Sequence, residues 1–437
     1  MTVRGIWIAA LLAACAGDDP ASPVLRVGTS GDYAPFSVQG NDGRRSGFDV
    51  ELVRAFARER GLRIRWVPLR WATLARDFAA GRFDVVASGV TVRPERSLAG
   101  RFTVPTASAG AVALVREANG ISDLDRAGVR IAVNQGGHLE RVARRLFPAA
   151  RLLPQTPNRA VREALLSGAA DAALTDTLEA PHWLAGTSGL RTLGPFTRDW
   201  KAWWVPASAS ERARDLDVWL LAREADGTLA ALRARHLPEA VGASATPLVA
   251  LAAAVEERLA LMPLVAEAKR ASGTPVRVSA QEAAVVAAGI DATRAAAARA
   301  GRPAPTDAAT SAFFVALIEA AREVQEHTLA GAPAESAAPD LDGALRPALA
   351  RIGERMAELV VRLPADLDAE TVRSTLAPIE IRGLSAAARE RIAGALAALS
   401  PPSARRRRTP RFRSRSSPDR AGCSSPRAPR DAPPARA

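Results

Sequence analysis

The sequence predicts a multidomain protein in which an α/β domain is followed by an all-α domain, with an apolar leader in front and a basic tail behind. Short β-rich runs alternate with helical patterns over about residues 24–240, whereas over 245–400 apolar residues recur only at helical spacing. All eight Trp lie at or before Trp219 and the only Tyr is Tyr33, while the stretch from Ala245 to Ser400 is Ala-rich with Phe313 and Phe314 as its aromatics. A length of 437 residues suits two or three domains at about 100 to 200 residues each.

Residues 1–14 carry Arg4 and then the apolar run Ile6 to Ala14, an export signal too short to span a membrane. It ends in Leu12-Ala13-Ala14-Cys15, which resembles a bacterial lipobox. That resemblance implies lipidation at Cys15, a membrane tether through the N-terminal lipid, and a periplasmic or cell-envelope location. After a linker at 15–23 come a strand at Val24–Gly28, a helix at Val50–Arg60, a strand at Leu62–Pro68, a helix at Leu74–Ala80 and a strand at Asp84–Gly89. Strands at Leu114–Val115, Val129–Val133 and Ala170–Leu174 and helices at Leu139–Leu146 and Ala160–Ser167 continue the alternation, which predicts parallel strands. Beyond 245 the helical periods are Leu248–Ala268, Gln281–Ala300, Thr310–Thr328, Leu341–Leu363 and Ala386–Leu399.

Charge and composition remove several function classes. The net charge of +13 looks like that of a nucleic-acid binder until it is located: residues 401–437 hold eleven Arg against Asp419 and Asp431, leaving the other 400 residues at only +4. A Pro/Ser/Arg tail with one aromatic buries too little surface to order itself, so it reads as disordered and no nucleic-acid partner is expected. Only Cys15 and Cys423 occur, which excludes a disulfide scaffold and a Cys-based zinc site. No metal or cofactor is expected.

In sequence order, Leu25-Arg26-Val27-Gly28-Thr29-Ser30-Gly31-Asp32-Tyr33-Ala34-Pro35-Phe36, Gly47-Phe48-Asp49-Val50, Gly81-Arg82-Phe83-Asp84 and Ser88-Gly89-Val90-Thr91-Val92-Arg93-Pro94-Glu95-Arg96 resemble periplasmic amino-acid-binding proteins. Two α/β lobes joined by a hinge over about 24–240 are what this resemblance implies, with Arg96 pairing a ligand carboxylate. The fork of a guanidinium suits that task in a way an ammonium does not. Within that group, Arg70 to Phe78, Val133-Asn134-Gln135-Gly136-Gly137, Thr175 to Ala180 and Lys201-Ala202 are most similar to the cyclohexadienyl dehydratases, which turn prephenate or arogenate into phenylpyruvate or phenylalanine. Asp176 corresponds to the carboxylate that takes a ligand ammonium, and Glu179 is the departure from a plain binding protein. Asp176 and Glu179, three residues apart, are expected on one face of a helical turn, aimed into one cleft. By this resemblance Glu179 is the general acid, Arg96 and Lys201 grip carboxylates, Asn134 and Thr91 hydrogen-bond the ligand, and Trp71 covers its ring. Backbone donors at a helix start near Gly136-Gly137 are expected to assist an anion.

The stretch 245–400 resembles the exported all-helical chorismate mutases through Glu257-Arg258-Leu259, Val265-Ala266-Glu267-Ala268-Lys269, Phe313-Phe314, Ile318 to Gln325 and Leu345 to Met356. Such an enzyme works by electrostatics alone on a concerted rearrangement. The resemblance casts Arg258 and Arg355 as carboxylate clamps, Lys269 and Gln325 as donors to the ether oxygen, and Glu282 as a hydroxyl partner. Val278 and Gln281 stand where the family usually has an Asp and an Arg, so one clamp is missing. The two resemblances reinforce each other, since one activity makes prephenate and the other consumes it. Together they describe a clamshell like that of periplasmic binding proteins followed by a chorismate mutase domain, an exported bifunctional enzyme acting on chorismate, prephenate or arogenate. Homo-oligomerisation through the helical domain is compatible with this pattern. The alternative is the lipoprotein solute-binding component of an amino-acid uptake system, bearing a degenerate helical appendage.

Overall fold

The computed structural model describes residues 22–237, 245–334 and 336–399. The leader at 1–14, Cys15, most of the linker at 15–23, the domain boundary near 240 and the tail at 401–437 lie outside the described residues.

Two lobes, each built on a five-stranded sheet, make up the first part. The first sheet runs Arg63–Pro68, Val24–Thr29, Val85–Val86, Trp204–Pro206, Gly100–Phe102, and the second Arg151–Gln155, Arg130–Asn134, Ala172–Asp176, Ala111–Arg116, Leu190–Leu193. The three strands expected in the first sheet pair in parallel, and in the second Arg130–Asn134 pairs in parallel with Ala172–Asp176 and with Arg151–Gln155, a strand the sequence did not show. Trp204–Pro206 and Ala111–Arg116, the latter expected parallel at Leu114–Val115, run antiparallel to their neighbours. The reason is the hinge. Ala107–Ala109 and Asp199–Lys201 pair antiparallel as the chain leaves one lobe and returns from the other, so each lobe receives a strand in reverse.

The Phe48–Glu59 helix buries Phe48, Val50, Leu52, Val53 and Phe56 at helical spacing against the first sheet. Its buried Asp49 accepts from Gly89 N at 2.6 Å and from Trp203 Nε1 at 2.8 Å, so the Gly47-Phe48-Asp49 motif anchors the loop that carries Thr91. Gly89 has φ +62° and lies so close to the Tyr33 and Phe36 rings that a Cβ there would collide with them.

The second part is helical, with Pro247–Ala260, Met262–Ser272, Ser279–Ala300, Asp307–Leu329, Arg346–Val360, Ala369–Leu376 and Ala386–Ala397. Thr246, Thr306, Asp368 and Ser385 cap four of these through side-chain oxygens. The expected Leu248–Ala268 helix is split at Leu261, because Pro263 lacks an N–H and serves instead in the first turn of a new helix. Leu341–Leu345 is a wider turn leading into Arg346–Val360, and Ala369–Leu376 escaped the sequence reading. One apolar core runs from Leu25 to Leu399 through the first lobe and the helices. Among the described residues no helix is long and apolar enough to cross a membrane.

Candidate functional site

Between the lobes, Tyr33, Trp71, Gly89, Thr91, Arg96, Asn134, Gly137, His138, Asn158, Asp176, Glu179 and Lys201 line a cavity of about 50 Å³. All seven cleft residues expected from the sequence are therefore brought together. The space suffices for about one or two water molecules.

Arg96 sits in the short Pro94–Ala99 helix, 4% exposed, with Nη1 donating to Thr91 O at 2.9 Å and its guanidinium carbon 5.8 Å from the Trp71 ring centroid. Burial, reinforced by the Arg93 charge, holds its pKa well below the ordinary arginine value. No ion pair satisfies it among the described residues. Lys201 contrasts with it. At 3% exposure its Nζ lies 2.9 Å from Asp176 Oδ2 and donates to Tyr33 Oη at 2.9 Å and Thr91 Oγ1 at 3.0 Å, so its donors are all engaged inside the protein. Tyr33 Oη in turn donates to Asp176 Oδ2.

Glu179 is 2% exposed, accepting from Asn158 Nδ2 at 2.6 Å and Thr175 Oγ1 at 2.7 Å. Burial and the neighbouring Asp176 charge push its pKa well above the usual carboxylate range, although both hydrogen bonds oppose the shift. The expected helical turn is absent. Asp176 ends the Ala172–Asp176 strand, Glu179 is the residue before the Ala180–Leu184 helix, and Asp176 Oδ1 closes the turn between them by accepting from Leu178 N and Glu179 N, both at 3.0 Å.

Sequence reasoning missed Tyr33, Asn158 and Asp32. Asn158 joins the site by donating from Nδ2 to Asp32 O at 3.2 Å and from N to Asp32 Oδ2 at 3.0 Å, while accepting from Asn134 Nδ2 at 2.8 Å. Tyr33 carried a signal as the sole tyrosine inside a quoted motif, but Asn158 carried none. The helix start after Gly137 offers less to an anion than expected, because Gly136 N already donates to Glu140 Oε2 at 2.7 Å. His138 Nε2 lies 3.0 Å from Asp199 Oδ1.

A second cavity, of about 560 Å³, lies inside the helical part. Arg258, Lys269, Glu282 and Gln325 line it, as do Val278 and Gln281 and the apolar Val265, Val285, Phe314 and Ile318. Arg258 is buried, its pKa lowered to about 10 by desolvation, with Nη1 donating to Leu349 O at 3.2 Å and Nε without a hydrogen-bond partner among the described residues. Gln325 Oε1 is likewise unpartnered. Lys269 donates to Val276 O at 2.6 Å, and burial, aided by the Arg346 charge, lowers its pKa. Glu282 is engaged by Arg322, whose Nε donates to it at 2.8 Å.

Arg355 does not belong to this cavity. It projects from the opposite side of the Arg346–Val360 helix, into a cavity of about 550 Å³ against the first lobe, where it pairs with Glu257 and donates to Phe102 O at 2.6 Å. Arg322 and Arg346 line the helical cavity instead.

The profile of bacterial extracellular solute-binding proteins, family 3, matches residues 25–239. The cyclohexadienyl dehydratase of Pseudomonas aeruginosa is 34% identical over 220 residues, 48% of this chain and 80% of that protein. An L-cystine-binding protein of Escherichia coli is 31% identical over 160 residues, 36% of this chain and 60% of its own. The chain therefore belongs to the family-3 extracellular solute-binding proteins, binders of small molecules in the extracellular or periplasmic space. A solved ancestral amino-acid-binding protein, described as a precursor of cyclohexadienyl dehydratase, is 30% identical, covering 49% of this chain and 96% of its own at a TM-score of 0.47.

Proposed function

We propose that the clamshell dehydrates and decarboxylates prephenate, and that the helical domain at 245–400 supplies it by rearranging chorismate. The carrying observation is Glu179, a buried carboxyl whose pKa burial and Asp176 push well above the usual carboxylate range, sharing one cavity with an Arg96 that has no ion pair among the described residues. Losing CO₂ from one ring carbon and the hydroxyl from the opposite one makes the ring aromatic, so the protein need only protonate the departing hydroxyl and hold the carboxylates. A carboxylic acid whose burial penalises its anion is suited to the first task near neutral pH, and Arg96 to the second. Thr91, Asn134 and Trp71, which line the same cavity, are assigned to bind and cover the substrate. A ring substrate needs more room than about 50 Å³, so the lobes must part first, breaking the Tyr33 to Asp176 and Asn158 to Asp32 bonds that cross the cleft.

Lys201 refines the substrate class. Its ammonium takes up Asp176, the carboxylate that an amino-acid ligand would use for its own ammonium, so prephenate is a better fit than arogenate. In the helical domain Arg258, Lys269 and Gln325 are assigned to the carboxylates and ether oxygen of chorismate, with Glu282 held for a hydroxyl and Arg322 or Arg346 replacing the clamp lost at Gln281. Lipid attachment at Cys15 would tether the protein to a membrane.

A second reading, an amino-acid uptake component, draws on the cystine-binding relative. Incubating purified protein with chorismate or prephenate and assaying phenylpyruvate separates the two. Product formation that disappears in Glu179→Gln supports the enzyme, whereas tight amino-acid binding without turnover supports the binder.

A further inference from the structure

Three consecutive residues of the Pro247–Ala260 helix reach three different places. Arg258 lines the helical cavity. Glu257, buried, accepts from Ser97 Oγ at 2.8 Å and pairs with Arg355. Glu256 accepts from Trp200 Nε1 at 2.7 Å. In the chain Ser97 directly follows Arg96, and Trp200 directly precedes Lys201. Arg351 Nη2 adds two bonds of 3.0 Å to Ser97 O and Leu98 O, in the last turn of the helix that bears Arg96. One helical turn of the second domain thus grips both backbone segments that carry the cleft cations.

Adhesion alone does not account for this arrangement. Burying a carboxylate and guanidinium groups gains little over apolar contact, whereas their directional bonds fix an orientation. The helix bearing Arg96 has only six residues and holds its own orientation weakly, so what grips its end decides where the guanidinium points. Misplacing such a group by about an ångström is enough to weaken its work on a ligand.

We propose that Glu257, held by Arg355, is a positioning residue for Arg96 and Glu256 one for Lys201, so that the helical domain sets the affinity of the clamshell cleft. This rests on the reading of Arg96 as the carboxylate grip. It also gives Arg355 a task other than the clamp expected from the sequence.

The test uses full-length protein, prephenate kinetics and amide hydrogen exchange. Glu257→Gln keeps an acceptor for Ser97 but leaves Arg355 without its charge partner, and Ser97→Ala removes only the hydroxyl. We expect KM for prephenate to rise about five- to tenfold in the first and about two- to threefold in the second, kcat to hold, and amides 96–99 to exchange faster. Asp307→Asn, which breaks the exposed pair with Arg294 elsewhere in the helical domain, should leave KM and those amides unchanged. Unaltered KM and exchange in folded Glu257→Gln would overturn the proposal. If Glu257→Gln does not fold, Ser97→Ala decides by the same two readouts. Should the wild-type protein turn over no prephenate, the functional reading fails separately, and exchange at 96–99 in Glu257→Gln alone upholds or removes the link.

Discussion

The clamshell cleft and the helical cavity hold similar chemistry in opposite states. In the cleft, Lys201, Asp176, Tyr33 and Glu179 bond to one another and to Thr91, Thr175 and Asn158, in about 50 Å³. In the helical cavity of about 560 Å³, Arg258 Nε and Gln325 Oε1 have no partner among the described residues. A two-lobed site closes by bringing polar groups from both lobes together, so they satisfy each other and a ligand must compete with them. A bundle cannot collapse in that way, because Gly289 already lets Phe314 pack where a Cβ would collide, and the packed helices hold the walls apart. Lys269, Glu282 and Arg258 Nη1 find partners in the surrounding helices and loops, while Arg258 Nε and Gln325 Oε1 do not among the described residues.

The sharpest break of this comparison is Glu179→Gln. The amide keeps size and hydrogen bonding but gives up no proton, so phenylpyruvate formation from prephenate should fall by about a thousandfold or more while binding stays within a few fold. Wild-type turnover would withdraw the assignment. Arg258→Ala should cost chorismate rearrangement about a hundredfold or more, measured by loss of chorismate absorbance. Thermal stability should hardly fall, because a buried cation short of partners is removed; a fall of many degrees would mean that Arg258 is structural.

A pH series separates the two sites by sign. Glu179 is raised, so its acid form persists above the usual carboxylate range, and dehydration should be retained in mild acid and lost as pH climbs through that raised value. The same shift makes its contribution to folding stability full below the ordinary glutamate pKa and lost as pH rises through the folded one. The rearrangement transfers no proton, so it should stay level over that interval and decline only when Lys269, lowered by burial, gives up its charge in alkali. Parallel profiles for both reactions would contradict the separation.

Smaller effects sharpen the contrast. Lys201→Gln frees Asp176 for a ligand ammonium and should move the ratio of kcat/KM values toward arogenate by several fold, even as both absolute rates drop; an unchanged ratio would take the preference away from Lys201. Gln281→Arg should raise chorismate turnover only a few fold, since Arg322 and Arg346 already face that cavity. A gain near a hundredfold would show that those arginines do not replace the missing clamp.

Particular residues show how far the sequence could be read. Glu179, Arg96 and Lys201 stand inside contiguous motifs, and the structure gathers them in one cleft. Asn158 has no such motif, because its importance lies in bonds to Asp32 and Glu179, 126 and 21 residues away. Arg355 was misplaced although its helix was found: pairing depends on which side of the helix meets the first lobe, and apolar spacing does not encode the docking of a second domain. The antiparallel strands were hidden likewise, since strand direction follows from two crossings of the hinge.

By itself, the sequence determined the alternation of strands and helices in the first part and most helices of the second, through local apolar period, and seven of the cleft residues, through short motifs whose backbone turns are local. Only the tertiary structure decided that Lys201 pairs with Asp176, that burial raises the pKa of Glu179, and that Glu257 reaches Ser97 beside Arg96. Those are properties of desolvation and distance between groups far apart in the chain, and they exist only once the lobes and the helices have packed.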